Sequence, residues 1–144
     1  MKRATIQNLL AVCCLVILLS SCNKLSLDTY WRSEKYVLIA IDARGQMELD
    51  FDNGDGTGTG IIGPTVFSIG ADEKYIVVMQ HPSKDAFGSF DRTVTNYFVV
   101  KRTTSTSSTE RQKGVQGPLS KNEFEKLTVT LSLPKFSKTF DDLK

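Results

Sequence analysis

Two short segments near the middle of the chain have the hydrophobic pattern of a β-hairpin. Residues 36–41 are apolar and rich in β-branched side chains, and the run is too short for a typical helix. Residues 47–51 alternate between apolar and polar side chains, which is typical of a strand with one buried face. Arg44-Gly45 lies between them as a turn. The pattern therefore predicts an antiparallel hairpin with one buried and one solvated face.

Three further strands are predicted downstream. They cover residues 65–69, 74–80 and 93–102, and the density of apolar residues in the second of them indicates a central position in the sheet. Residues 103–109 are almost entirely threonine and serine and predict a loop. Residues 110–115 then return as a weak edge strand whose basic side chains discourage edge-to-edge pairing.

One helix is predicted near the C-terminus. Ser120 and Glu123 have the spacing of a capping box, and Phe124, Leu127 and Leu131 follow on one helical face. Beyond Leu127 the alternating threonines are equally compatible with a strand, so both alternatives stay open there. The predicted fold is α+β: a mainly antiparallel meander of five to six strands, with the C-terminal helix packed on one face.

The glycine-rich segment 52–60 is the most conspicuous polar stretch. Its G-x-G-x-x-G spacing needs a following helix to bind a dinucleotide, but a proline and a β-type run follow. An EF-hand alignment places apolar residues at the first and last ligand positions, which cannot bind calcium. Asn-Gly and Asp-Gly favour a hairpin tip. The alternative is a functional loop, in which Asp50, Asp52 and Asp55 form an irregular cation site or a recognition surface.

His81 is the only histidine and is followed by a loop with serines and aspartates. A hydrolase using His81 with Asp85 or Asp91 has the required residue types, but the sequence has no nucleophile elbow. We therefore predict a locally satisfied histidine and assign no catalytic residue, no metal and no cofactor. In the same loop, Phe87 and Phe90 pack on the core or form an exposed recognition patch.

The N-terminus has the order of a secretory signal. Lys2 and Arg3 precede an uninterrupted apolar run, which is too short to span a membrane. The run ends in Leu19-Ser20-Ser21-Cys22, which resembles the lipobox of bacterial lipoprotein precursors. The resemblance implies that residues 1–21 are removed by a type II signal peptidase. It also implies that Cys22 receives a diacylglycerol thioether and fatty acyl chains of the palmitate type.

Removal of this segment changes the bulk properties of the chain. Lys2 and Arg3 account for the net charge of +2, so the remaining chain is neutral and gives no electrostatic argument for a nucleic-acid partner. Cys13 and Cys14 leave with the signal, so no disulfide is expected. We expect residues 22–29 to form a lipid-attached tether and residues 30–144 to form a single domain.

A second resemblance concerns the domain itself. Its motifs are turns, strands and a helix cap: Gly63-Pro64, Gly70-x-Asp72-x-Lys74-Tyr75-Ile76, Tyr97-Phe98-Val99-Val100 and Gly117-Pro118-Leu119-Ser120-x-x-Glu123-Phe124. From about Tyr36 to Leu133 the chain looks like a family of small bacterial lipoproteins described only as a domain of unknown function. The resemblance implies a compact sheet with a C-terminal helix and carries no catalytic residues.

These features predict a lipid-anchored, non-enzymatic binding or accessory domain of the cell envelope. The expected location is the cell membrane or the outer membrane, facing the periplasm or the cell surface, with the membrane contacted through lipid on Cys22. An envelope protein or a glycan is the expected partner. The alternatives are an inhibitor or immunity protein that acts on a partner enzyme and, third, the envelope hydrolase that would use His81.

Overall fold

The computed structural model of the chain describes residues 28–85 and 89–144. These residues form nine β-strands, two α-helices and one turn of 3-10 helix. In chain order the elements are β1 (Asp28–Ser33), β2 (Tyr36–Ala40), the 3-10 turn (Arg44–Gln46), β3 (Glu48–Asp52), β4 (Gly58–Ile62), β5 (Val66–Ala71), β6 (Tyr75–Gln80), β7 (Asn96–Lys101), α1 (Ser108–Lys113), β8 (Val115–Leu119), α2 (Lys121–Leu131) and β9 (Lys138–Thr139).

The predicted α+β class with antiparallel pairing is confirmed, but the strands lie in two sheets, whereas one meander of five to six strands was expected. The four-stranded sheet has the order β1-β2-β3-β4, and the five-stranded sheet has the order β8-β7-β6-β5-β9. The predicted β2–β3 hairpin is confirmed, with Tyr36 opposite Phe51 and Leu38 opposite Leu49. The central position of β6 is confirmed as well.

The two sheets share one hydrophobic core. Alternate residues of β2 and β3, including Leu38, Leu49 and Phe51, pack against Ile76 and Val100 from the five-stranded sheet, and all five are at most 1% exposed. Removal of such side chains from water contributes about 1.5–3 kcal/mol each. The division into two sheets follows from this arrangement, because two apolar sheet faces cover each other.

Helix α2 covers the other face of the five-stranded sheet. Phe124 packs with Val77 and Val99 in a second, smaller core, and its ring stacks on that of Tyr97 at 5.0 Å. The predicted capping box at the helix N-terminus is present. The helix continues to Leu131, which settles the choice between helix and strand after Leu127.

The predicted edge strand at residues 110–115 is wrong. Residues 108–113 form α1, and the edge strand is β8, which starts at Val115. The Ser107 hydroxyl caps α1 by accepting a hydrogen bond from the Glu110 amide. The predicted threonine and serine loop is shortened accordingly. Helix α1 contacts the edge strands β4 and β8, and therefore lies between the two sheets at one side.

Strand β1 was not predicted, and the folded domain begins slightly earlier than expected. Asp28 and Thr29, which were assigned to the tether, pair with Ala40 and Ile39 in the four-stranded sheet. The predicted signal segment, the rest of the tether with Cys22, and Phe87 lie outside the described residues. Among the helices that the structure describes, none combines the length and the apolar character needed to cross a membrane.

Candidate functional site

The outer face of the four-stranded sheet carries a row of acidic side chains. On β3, Leu49 and Phe51 belong to the core, so the alternate residues Glu48, Asp50 and Asp52 point away from it. The strand register places Val37 on β2 directly opposite Asp50. Acidic and apolar side chains therefore lie side by side on this outer face.

A cleft of about 210 Å³ lies on this face, which we call the outer cleft. It is bounded by residues of β1, β2, β3 and the tip of the β3–β4 hairpin: Thr29, Arg32, Val37, Ile39, Asp50, Asp52, Gly56, Thr57 and Gly58. A Cβ at Gly58 would lie only 2.7 Å from Oδ2 of Asp50. A larger residue at this position would therefore crowd the carboxylate.

Asp50 is the chemically unusual group of the outer cleft. It is 7% exposed, and its Oδ1 has no hydrogen-bond partner among the described residues. Burial raises the pKa of its carboxyl group. The pKa of Glu48 is also raised, first by burial and then by the charge of Asp50. A carboxylate in this position is destabilised by loss of water and gains from any cation that approaches it.

The other two aspartates of the predicted cation site are satisfied by their neighbours. Asp52 accepts a hydrogen bond from Arg32 at 2.9 Å, which is the largest cause of its lowered pKa, followed by the amide of Gly54. The hydroxyl and the amide of Thr57 lower the pKa of Asp55. Of the three, Asp50 is therefore the carboxylate without a partner among the described residues.

The structure gives no support to a metal site shared by the three aspartates. Across residues 28–85 and 89–144, no group of three or more histidine, cysteine, aspartate or glutamate side chains is placed to hold a metal ion. The hairpin-tip interpretation of the glycine-rich segment is confirmed, because residues 53–57 connect β3 to β4. The following segment is a strand, so the dinucleotide motif lacks the helix that it requires.

His81 is part of the core and does not assemble a catalytic triad. It is 2% exposed, and its ring stacks on Phe67 at 4.3 Å and on Phe90 at 5.9 Å. Its Nδ1 lies 2.7 Å from the carbonyl oxygen of Val94, and its Nε2 is buried without a partner in the described part of the chain. The geometry thus gives no support to the hydrolase hypothesis.

The acidic residues proposed to work with His81 have local roles instead. Asp91 accepts from the hydroxyl and the amide of Thr93, which lowers its pKa. The carboxylate of Asp85 accepts from the amide of Ser89 at 3.2 Å. Both aspartates shape the loop.

Of the predicted patch of Phe87 and Phe90, the structure describes only Phe90. Phe90 is only partly exposed, since it packs on His81 and lies under the guanidinium of Arg92 at 5.1 Å. Phe87 lies outside the described residues. The structure therefore assigns Phe90 to packing.

The sequence interpretation missed most of the outer cleft. It named Asp50, Asp52 and Asp55, but not Arg32, Val37 or Ile39. These residues come from strands β1 and β2, and only the strand register brings them to Asp50. The alternation along β3 was the signal for an outward-facing Asp50, and the neighbouring glycines were the signal for space beside it.

The fold and the cleft together define a small α+β domain with two packed sheets and an acidic outer cleft. Residues 33–144 match a family described as a protein of unknown function (DUF3997). The chain belongs to this family, which confirms the expectation of a family without an assigned function. No curated protein and no solved structure matches the chain.

Proposed function

We propose that the protein is a non-enzymatic binding domain of the bacterial cell envelope, anchored by lipid on Cys22, that holds a cationic side chain of a partner protein in the outer cleft. The observation that carries the binding proposal is the buried Asp50 carboxylate, which has no cationic partner in the part of the chain that the structure describes. Asp52, which lines the same cleft, is already paired with Arg32 and does not need a cation from a partner.

The chemistry of the cleft favours a primary ammonium group on an alkyl chain. Val37 and Ile39 provide apolar contact for methylene groups, and Asp50 accepts the charged hydrogen bond. Glu48 adds negative charge from the same face of β3. Lysine combines these two properties, since it buries its methylene stem while its ammonium group makes charge-assisted hydrogen bonds.

The size of the cleft favours a side chain over a whole small molecule. Its volume of about 210 Å³ lies below the roughly 300–1,000 Å³ typical of pockets for drug-sized ligands. A lysine side chain presented by a protein surface suits this space. An amino group on a glycan is the other source of the same chemistry.

Binding is tested by titrating the full-length protein in detergent with Nα-acetyl-lysine N-methylamide, with the norleucine analogue as the uncharged control. We expect saturable binding of the lysine compound only. D50N should weaken it about tenfold, the effect of losing one charge-assisted contact. D142N is the matched control, because Asp142 is an exposed aspartate paired with Arg44 away from the cleft. Equal binding of both compounds, or equal affinity of D50N, would overturn this assignment.

The anchoring proposal rests on Leu19, Ser20, Ser21 and Cys22 together with the preceding apolar run. It places the domain at the cell membrane or the outer membrane, where a nucleic-acid partner is not expected. Mass spectrometry of the protein from its bacterial host should find residues 1–21 removed and Cys22 carrying a diacylglyceryl group. C22S should remain unprocessed. Processing of C22S at the same bond would contradict the anchor while leaving the cleft untouched.

An inhibitor or immunity protein is the second candidate. Its support is the tip of the β3–β4 hairpin, where Asn53, Asp55 and Thr57 are joined by hydrogen bonds that fix its shape. A preformed loop loses little entropy on binding. Replacing residues 53–57 by a two-residue Asn-Gly turn should abolish inhibition of a partner enzyme if this loop is the contact. Unchanged inhibition would reject the loop.

A further inference from the structure

Arg111 is a buried cation that pairs with no carboxylate of the described chain. Its side chain belongs to α1, and the residue is 2% exposed. The guanidinium lies 4.2 Å from the centre of the Phe51 ring, which provides a cation–π contact. The ion pairs that involve other arginines of the described chain reach Asp52, Asp142 and Glu34, and none reaches Arg111.

The hydrogen bonds of Arg111 leave part of its guanidinium unused. Nη1 donates to the carbonyl oxygens of Ser105 and Thr106, at 3.2 and 2.8 Å. Nε is buried and has no partner among the described residues. No hydrogen bond links Nη2 to a residue in this part of the chain either. A planar guanidinium has five N–H groups, so those of Nη2 remain available to an acceptor, whereas Nε is enclosed by the protein.

A cavity of about 360 Å³ adjoins this arginine. It lies between α1 and the β3–β4 hairpin, and its six lining residues are Phe51, Asn53, Thr59, Thr106, Ser108 and Arg111. None of them is acidic. The hydroxyls of Thr106 and Ser108 make no hydrogen bond within the described residues. The cavity therefore combines one buried cation with unused hydroxyl donors.

We propose that this cavity binds an oxyanion group, a phosphate or a carboxylate, through Arg111 and the hydroxyls of Thr106 and Ser108. A guanidinium N–H group makes charge-assisted hydrogen bonds to the oxygens of such groups, and Nη2 is the nitrogen that Arg111 leaves for one. An anion also offsets the desolvation of a cation that the protein leaves unpaired. This anion cavity is separate from the outer cleft, since the two lie on opposite faces of the β3–β4 hairpin.

A purely structural role is the alternative for Arg111. In that role Nη1 fixes the loop through Ser105 and Thr106, and Phe51 supports the side chain. That role predicts loss of stability on mutation but no response to added anions. A measurement of anion-dependent stability therefore distinguishes the two roles.

The test measures the melting temperature of the full-length protein in detergent as inorganic phosphate, acetate or glycerol 1-phosphate is added at constant ionic strength. We expect a saturable rise with phosphate that R111M abolishes, because methionine keeps contact with Phe51 but has no charge. R92M is the matched control. Arg92 also lies over a phenylalanine and donates to two carbonyls, but it is exposed and lines neither cavity.

Two further comparisons keep the proposal falsifiable. If R111M fails to fold, S108A removes one hydroxyl donor from a helix surface and should weaken phosphate binding several-fold. Tighter binding of glycerol 1-phosphate than of phosphate would indicate a lipid headgroup as the source of the anion, and the reverse order a free anion. The proposal is overturned if no anion gives a saturable effect, or if R111M and R92M respond equally.

Discussion

Replacing Asp50 with asparagine should stabilise the protein at neutral pH. The carboxylate is 7% exposed, and Oδ1 lacks a hydrogen-bond partner in the described chain. An unsatisfied buried polar group costs about 1–3 kcal/mol. Asparagine keeps the shape and removes the charge but leaves an amide in the same place. We therefore expect about 1 kcal/mol of added stability, or about 4 °C in melting temperature for a domain of this size.

The pH dependence of this effect has a defined sign. Burial raises the folded-state pKa of Asp50 above its ordinary value of 3.8. The folded protein thus binds this proton more tightly than the unfolded chain does. The stability gained from protonation of Asp50 is fully present below pH 3.8 and is lost as the pH rises through the folded-state pKa. The gain from D50N should therefore be small in acid and largest at neutral pH.

Urea unfolding of wild type, D50N and D52N across this pH range measures the effect. D52N is a control that should change the stability in the opposite direction. Arg32 lowers the pKa of Asp52 and stabilises its ionised form, so D52N should destabilise the protein at neutral pH. The stability from Asp52 is present above the unfolded-state pKa and is lost as the pH falls through its folded pKa. A D50N variant that is less stable than wild type at neutral pH would refute the assignment of an unpaired carboxylate.

Three further substitutions test the described packing and capping. Gly70→Ala should lower the free energy of unfolding by about 2 kcal/mol or more, because a Cβ there overlaps the backbone carbonyl of Lys135; urea unfolding measures it. Ser120→Ala should cost about 1 kcal/mol by removing the cap that accepts from the Glu123 amide, visible in the same assay. His81→Ala should cost about 2 kcal/mol through the cavity that it leaves, while calorimetry should find lysine-analogue binding unchanged. Loss of that binding would contradict a purely structural role for His81.

Much of the fold could be predicted where local pattern and tertiary contacts agree. The alternation of residues 47–51 gives the buried face of β3 correctly, since Leu49 and Phe51 are in the core. The capping box at Ser120 and Glu123 fixes the start of α2 because it satisfies orphan backbone amides locally. These signals depend on neighbours a few residues away and need no knowledge of the sheet partners.

The division into two sheets and helix α1 could not be predicted in the same way. Sheet membership depends on which distant strands pair, and the sequence patterns of β4 and β5 do not show that they belong to different sheets. For α1 a local signal existed, because Ser107 and Glu110 have the S-x-x-E spacing. The threonine and serine content of the preceding loop obscured it. As a result Arg111, a buried residue, was expected at a solvated strand edge.

The outer cleft could not be predicted fully either, because it also depends on contacts between strands that are distant in the sequence. The acidic residues of β3 were recognisable in the sequence, but contacts with other strands decide which of them is paired with a cation. Arg32 of β1 pairs with Asp52, while Asp50 lies opposite Val37 and has no cation beside it within residues 28–85 and 89–144. Residue type alone cannot separate two aspartates that share one strand face.

The most direct test of the central proposal is a measurement of the pKa of Asp50. Carbon-13 NMR of its carboxyl group in the full-length protein gives this value. Without ligand, the pKa should lie above 3.8. Saturation with Nα-acetyl-lysine N-methylamide should lower it, because an ammonium group stabilises the ionised carboxylate. A pKa at or below 3.8 that does not move on addition of the lysine compound would contradict a cation-binding role for the outer cleft.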